Sequence, residues 1–305
     1  MQRIEFRAMG CQMLAVLDND SLEAAEQLAQ LPDWFEIWEQ SLSRFRPDSE
    51  LSRLNRQAGE PVAVSEVMWQ VAQEAIDAAH YSQGLVVPTL LDALEAAGYD
   101  RSFDEMGTFC PKQASPMANN SWQQIKFDFK CRTITLPTGS GLDLGGIAKG
   151  WAAHQAAHYL SRWGGTLVDA GGDIAISGPM SNQQAWPIGI CDPFGRQPEP
   201  LLLLDEGGIA TSGRDYRRWQ QDGKWQHHII DPRTGEPAQT DLLSATVVAP
   251  TVEEAEVAAK MVLILGSQKG LEWLEAEPLL AGVMVCEDSQ IIYSRGMERY
   301  LCPQS

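Results

Sequence analysis

Apolar and polar positions alternate at the start of the chain, and the period of two over residues 2–7 and 11–17 predicts a pair of short strands. From Ser21 to Phe45 the period lengthens. Leu22, Ala25, Leu28, Leu31, Phe35, Trp38 and Leu42 recur three and four apart, which predicts an amphipathic helix interrupted near Pro32. Further helices are expected over 65–82 and just after Pro88, the second stopped by Gly98. Residues 103–120, with Gly107, Pro111, Pro116 and an Asn pair, read as a surface excursion and as the best candidate for an internal boundary; hairpin-like strands at 122–127 and 131–136 follow. The second half alternates a helix at 147–162, strands at 166–170 and 173–178, more strands to about 249, and helices at 252–265 and 267–274. Several strands are joined by links too short for crossovers, so the sheet should be largely antiparallel. The expected fold class is mixed α/β (α+β), antiparallel sheets flanked by helices, in a single domain over 1–305 without internal repeats.

Composition narrows the classes of function. With 305 residues, 44% hydrophobic and 21% charged, the chain can bury a substantial core. A net charge of −18 argues against a general nucleic-acid or anionic-membrane binder, which needs a cationic footprint, while leaving room for a basic pocket. No run approaches the roughly 20 apolar residues that span a bilayer. Arg3, Glu5 and Arg7 replace an apolar signal core, and nothing before Met9-Gly10-Cys11 could insert, so a cytoplasmic protein is expected. Six cysteines (Cys11, Cys110, Cys131, Cys191, Cys286, Cys302) lie scattered without a CxxC pair, as reduced thiols would.

Four segments carry candidate chemistry. Residues 141–150 read GLDLGGIAKG: a Gly-Gly turn opening a helix, with Lys149 in its first turn, suits either a phosphate cradle or a structural tight turn. It is not a P-loop, because Ala148 precedes the lysine and Gly150 follows it. Residues 169–178 read DAGGDIAISG, where Gly171-Gly172 between apolar strand residues suggests backbone closely approached by a ligand or a strand, or else a bulge. Asp173 needs a hydrogen-bonding partner there, such as a ribose or a backbone amide. ATSGRDYRRW at 210–219 and HHIIDPRTGEP at 227–237, joined by a Gln-Asp-Gly-Lys turn, make 208–238 hairpin-like. That arrangement would gather the hydroxyls of Thr211 and Ser212, four arginines and two histidines, and put His228, beside Asp231, in reach of a phosphate-binding turn at Thr211-Ser212-Gly213.

In this order the segments GGIAKG, AGGD, ATSG and HHIIDPRTG resemble the ApbE family of flavin transferases. Met9-Gly10, Ser43-Arg44-Phe45, the stretch from Ser49 to Asn55, and Pro88-Thr89 extend the resemblance over nearly the whole chain. It implies an enzyme that moves the FMN half of FAD onto a Ser or Thr hydroxyl of an acceptor flavoprotein, forming a phosphoester and releasing AMP. Alcohol attack on a pyrophosphate needs an activated hydroxyl, charge neutralisation and in-line positioning. By resemblance, His228 is the acid/base group and Asp231 either its orienting neighbour or a turn residue. Met9, Asn55, Lys149, Gly150, Gly171, Gly172, Asp173, Thr211, Ser212, Gly213, His228 and Arg233 would hold FAD.

The chain departs from the family pattern at Val87, where an Asp commonly precedes Pro-Thr. It departs again at Glu256 and Lys260, where such enzymes carry an Asp and, four residues on, a Thr that ligate magnesium with the carbonyl of the residue matching Ala148. Magnesium wants octahedral oxygen ligands at about 2.1 Å, and an ammonium repels it. Glu256 and Lys260 share a helix face and can pair, or Lys260 can act as a third catalytic group by setting its charge where the ion would be. The flanking Val257, Ala258, Ala259 and Met261 imply a buried helix, in which an ion pair without a purpose is costly. A FAD-binding protein without transferase activity, or a FAD pyrophosphatase using water as nucleophile, would draw on the same residues.

Overall fold

The structure is a computed structural model and describes residues 1–105, 121–195, 201–221 and 223–302. Most of the expected surface excursion, over 106–120 and including Cys110, therefore lies outside the described residues, as does Asp222 of the Gln-Asp-Gly-Lys turn. The chain divides into two compact units. One comprises Met1–Phe35, Lys149–Asp215 and Thr240–Ser305; the other comprises Glu36–Ala148 and Tyr216–Gln239. The units thus divide elsewhere than at 103–120.

The first unit is built on an eight-stranded sheet whose spatial order is also chain order: Gln2–Ala8, Cys11–Leu17, Thr166–Ala170, Asp173–Ser177, Gly207–Gly213, Leu242–Ala249, Ala281–Cys286 and Ile291–Tyr293. Every neighbouring pair is antiparallel, which short links dictate for Gln2–Ala8 with Cys11–Leu17, Thr166–Ala170 with Asp173–Ser177, and Ala281–Cys286 with Ile291–Tyr293. Two of the links are two-residue turns with both residues at positive φ, Met9-Gly10 (50° and 70°) and Gly171-Gly172 (70° and 100°), a conformation whose twist matches that of the flanking strands. Glycine is needed at 171 for a second reason: a Cβ there would lie 2.8 Å from the Cys11 thiol sulfur.

Both faces of this sheet are covered, which explains why Ala281–Cys286 is buried along its whole length instead of at alternate residues. On one face Leu167, Ile176, Ile209, Val248 and Val283 pack with Trp186, Ile188, Leu202 and Leu204 of a separate hairpin, Trp186–Gly189 with Leu201–Leu204. Burial of each such side chain is worth about 1.5–3 kcal/mol. The other face receives the helix Val252–Ala276, and Gly208 lets it approach, since a Cβ there would sit 2.2 Å from the Val252 amide nitrogen. The expected separation into 252–265 and 267–274 appears as a break at Gly266 (φ 81°, ψ 174°) within this one span. Past the break, Asp241 accepts from the Ser267 amide at 2.9 Å and from its hydroxyl.

The second unit contains the helices Glu50–Arg56, Glu66–Tyr81 and Leu91–Ala96. Ser49 and Ser65 cap the first two, each hydroxyl accepting from the amide three residues on. Its strands Pro61–Ala63, Thr133–Thr135 and Lys126–Asp128 form a small antiparallel sheet. The hairpin expected over 122–127 and 131–136 is shorter than its apolar pattern, because Ser121–Gln124 winds into a 3₁₀ turn that buries Trp122 against Ala79 and Val87. The helix expected from 21 to 45 is two helices, Leu22–Leu28 and Leu31–Leu42, divided at Ala29-Gln30 just before Pro32. Region 208–238 is not one hairpin. Gly207–Gly213 is an interior strand of the first unit, whereas Arg218–Gln221 with Lys224–His227, and Ile230–Asp231 with Glu236–Pro237, are two ribbons of the second. No described helix is long and apolar enough to cross a membrane.

Candidate functional site

In the first unit the residues that matter converge at the start of the helix Ala148–Leu160, on the sheet face carrying the helix Val252–Ala276. Lys149 forms a close ion pair with Asp173 and reaches Glu256 Oε1 at 3.2 Å. Lys260 meets the same Oε1 at 3.0 Å, one helical turn from Glu256. The other oxygen, Oε2, accepts from the Gly150 amide at 3.2 Å, so Glu256 satisfies a donor in the first turn of a helix that is not its own. A Cβ at residue 150 would lie 2.6 Å from that oxygen, and glycine is what lets the carboxylate in.

The electrostatics follow from burial. Burial opposes ionisation of Glu256, but Lys149 and Lys260 outweigh it and hold the carboxyl down to about 2. For Asp173, burial and then the neighbouring Glu256 charge prevail over the lysines, pushing its carboxyl up to about 6. Burial works against the Lys149 charge too, yet Asp173 and Glu256 raise its pKa above the ordinary lysine value. Asp173 has a partner in the Lys149 side chain.

Ser212 lies on the same sheet face as Asp173, because Asp173 pairs with Ala210 two residues away; Thr211 lies on the opposite face, its hydroxyl 2.9 Å from that of Thr246. Thr211, Ser212 and Gly213 belong to a strand and not to a turn, a correction forced by their pairing with Thr246, Ala245 and Ser244. The pairing with Asp173–Ile176 ends at Ala210, so these three residues run past the adjoining strand. Gly172 sits next to that end, with open space where a Cβ would project, and its amide donates to Asp169 at 2.7 Å. Met9 forms part of a hairpin turn in the same unit.

The remaining candidates lie in the second unit. The His227 ring is buried, with Nε2 3.0 Å from the Ala238 carbonyl and Nδ1 accepting from the Ile229 amide at 3.3 Å, which makes it a structural residue. His228, just past the strand end and half-buried, presents its ring to Tyr99, centroid to centroid 6.4 Å. Asp231 faces Arg233: the guanidinium donates through Nε at 2.9 Å and Nη2 at 2.7 Å, and the Arg233 amide adds a bond at 2.9 Å. Burial would raise the Asp231 pKa, and these bonds more than reverse it. The Gly235 amide donates to the Asp231 carbonyl at 2.8 Å and closes a turn there. Arg233, expected to hold FAD, spends its fork on Asp231. Asn55 uses both ends of its amide on Leu142, at 2.8 and 2.9 Å, and so holds the chain entering the Gly145-Gly146 turn.

Two residues of this unit escaped the sequence reading. Arg44 pairs with Asp143 and lies over the Tyr99 ring, 4.8 Å from its centroid. Tyr99 in turn stacks on Trp219 at 5.4 Å, so a chain of contacts backs the ring beside His228. The Ser-Arg-Phe match was the available signal for Arg44; nothing local marked Tyr99. Val87 is 7% exposed and belongs to an apolar cluster with Ala79 and Trp122.

Magnesium does not fit the residues present. Each Glu256 oxygen is already hydrogen-bonded, and Oε1 carries two ammonium groups. Unit charges about 4 Å apart at an effective dielectric near 20 interact by about 4 kcal/mol, and a divalent ion beside an ammonium would meet roughly twice that in repulsion. Ala148, whose carbonyl is the other expected ligand, opens the helix Ala148–Leu160. Among the described residues no group of three or more His, Cys, Asp or Glu is arranged to hold a metal ion.

Comparison with known proteins places this arrangement. The profile of the ApbE family matches residues 9–284. The FAD:protein FMN transferase of Treponema pallidum is 31% identical over 297 residues, covering 90% of this chain and 82% of that protein. The corresponding Salmonella typhimurium protein is 27% identical over 313 residues, covering 99% and 88%. Among solved structures, the ApbE protein of Thermotoga maritima superposes with a TM-score of 0.87 at 24% identity over 98% of both chains. The apo flavinyl transferase ApbE of Pseudomonas stutzeri gives 0.81 at 20% identity, covering 100% of this chain and 98% of that one. With the profile spanning most of its length and relatives matching nearly all of it, the chain belongs to the ApbE family.

Proposed function

We propose that this protein is a FAD:protein FMN transferase. The observation that carries the reading is near-complete coverage by relatives of that name, over a chain that gathers Lys149 and Lys260 around one buried carboxylate. In the reaction, an acceptor Ser or Thr hydroxyl oxygen attacks the phosphorus on the FMN side of the FAD diphosphate. A new P–O bond forms, the P–O bond to the AMP half breaks, and AMP leaves with the electron pair. His228 takes the hydroxyl proton, because a neutral imidazole is a competent base near neutral pH. Lys149 and Lys260 supply positive charge to the diphosphate and Ser212 and the backbone at Gly171-Gly172 line its path in the first unit; Met9 supports a turn of that unit, and Asn55, Asp231 and Arg233 support turns of the second. The partner is an acceptor flavoprotein presenting a Ser or Thr.

Counting AMP released from FAD with and without an FMN-domain acceptor tests this. A transferase releases AMP only when the acceptor is present. Equal release without it would mean a pyrophosphatase, and no release in either case would mean a flavin-binding protein.

A further inference from the structure

Within the Lys149–Glu256–Lys260 cluster the Glu256 side chain is 1% exposed, whereas those of Lys149 and Lys260 are 15% and 16% exposed. Two ammonium groups beside each other repel, and here one buried carboxylate oxygen holds both, at 3.2 and 3.0 Å, while its partner oxygen is anchored by the Gly150 amide. The result is a deeply buried carboxylate holding two less buried ammonium groups, one of which is also paired with Asp173.

From this arrangement we infer that Lys149 and Lys260, clamped by Glu256, form a phosphate-binding site that works without a divalent cation. Its ligand class is a diphosphate or a diphosphate ester. Each ammonium has three N–H donors, and Glu256 and Asp173 account for only part of that capacity, so a phosphate oxygen can join the shell without displacing the clamp. Glu256 has a mechanical part: with both oxygens engaged, it holds the lysines in place before the anion arrives, which reduces the ordering that binding must impose. The inference rests on FAD being the substrate only for the identity of the ester; the anion site itself does not depend on it.

Titration calorimetry of the full chain with inorganic pyrophosphate, and separately with FAD, tests the site in EDTA and again with magnesium. The expected affinities in the two buffers agree within about threefold for either ligand. In EDTA, Lys260→Thr should weaken binding by tenfold or more, Lys260→Arg should retain it within about threefold, and circular dichroism should report both variants folded. Pyrophosphate bound alike in both buffers, with FAD unbound, would support the anion site while removing the flavin reading. FAD bound in EDTA but insensitive to Lys260→Thr would keep the flavin reading and overturn this one. Wild-type binding lost in EDTA and restored by magnesium also overturns it, and that measurement needs no variant.

Discussion

A carboxylate as enclosed as that of Glu256 stays ionised only where cationic neighbours offset its lost hydration, and Lys149 and Lys260 do this. The linkage has a definite sign. With the carboxyl held down to about 2 in the folded chain against an ordinary 4.5, its contribution to stability is fully present above about pH 4.5 and fades as pH falls toward 2. Glu256→Gln should therefore lower the midpoint of urea unfolding at pH 7 and flatten its decline between about pH 5 and 3; parallel declines for variant and wild type would refute this. Asp173 runs the other way, its carboxyl lifted from 3.8 to about 6, so its ionisation costs stability as pH rises through that window. The histidines give a second contrast. His228→Ala should reduce FMN transfer by about 10²-fold or more with FAD binding kept, whereas His227→Ala, which strips partners from Ala238 and Ile229, should act through the unfolding midpoint. Transfer near the wild-type rate in His228→Ala would leave that ring without a chemical role. The Glu256–Lys260 pair was legible because four residues make one helical turn. The Lys149–Asp173 pair was not, since a separation of 24 residues between a helix and a strand has no periodicity to betray it.

Elements with strong periodicity came through closely: Glu66–Tyr81 against 65–82, Ala148–Leu160 against 147–162, and both members of the opening strand pair. Where glycine and polar residues cluster, the local signal misled. ATSGRDYRRW looks like a turn, yet its first four residues lie in a strand because Leu242–Ala249 pairs with all four and Asp173–Ser177 with Ala210, a partnership that local propensity cannot reveal. The break at Gly266 was legible, but its stabiliser was not: Asp241, 26 residues earlier, satisfies the amide and hydroxyl of Ser267. Removing that carboxylate leaves a helix-start donor without its acceptor. Asp241→Ala should cost about 1 kcal/mol and at most about 2, measured by urea unfolding, with FAD affinity unchanged; an unchanged unfolding midpoint would show that the break needs no cap.

At the scale of the whole molecule, the antiparallel α+β class followed from link lengths, while the tracing of the eight-stranded sheet in chain order did not. More than a hundred residues separate its second and third strands, an excursion whose return no local pattern announces. The units divide inside the excursions between sheet strands, at 35/36, 148/149, 215/216 and 239/240, instead of at 103–120. Family membership was carried by ordered short motifs, and several of their residues, Asn55, Asp231 and Gly150 among them, hold backbone in place. What remains decisive for function is covalent group transfer. The purified chain is incubated with FAD and an FMN-domain acceptor, the mixture is denatured, and flavin fluorescence and intact mass are read on the acceptor. The account predicts flavin that stays with the denatured acceptor, a mass gain equal to FMN less water, and one AMP released per flavin attached. Flavin that separates from an acceptor of unchanged mass would contradict it.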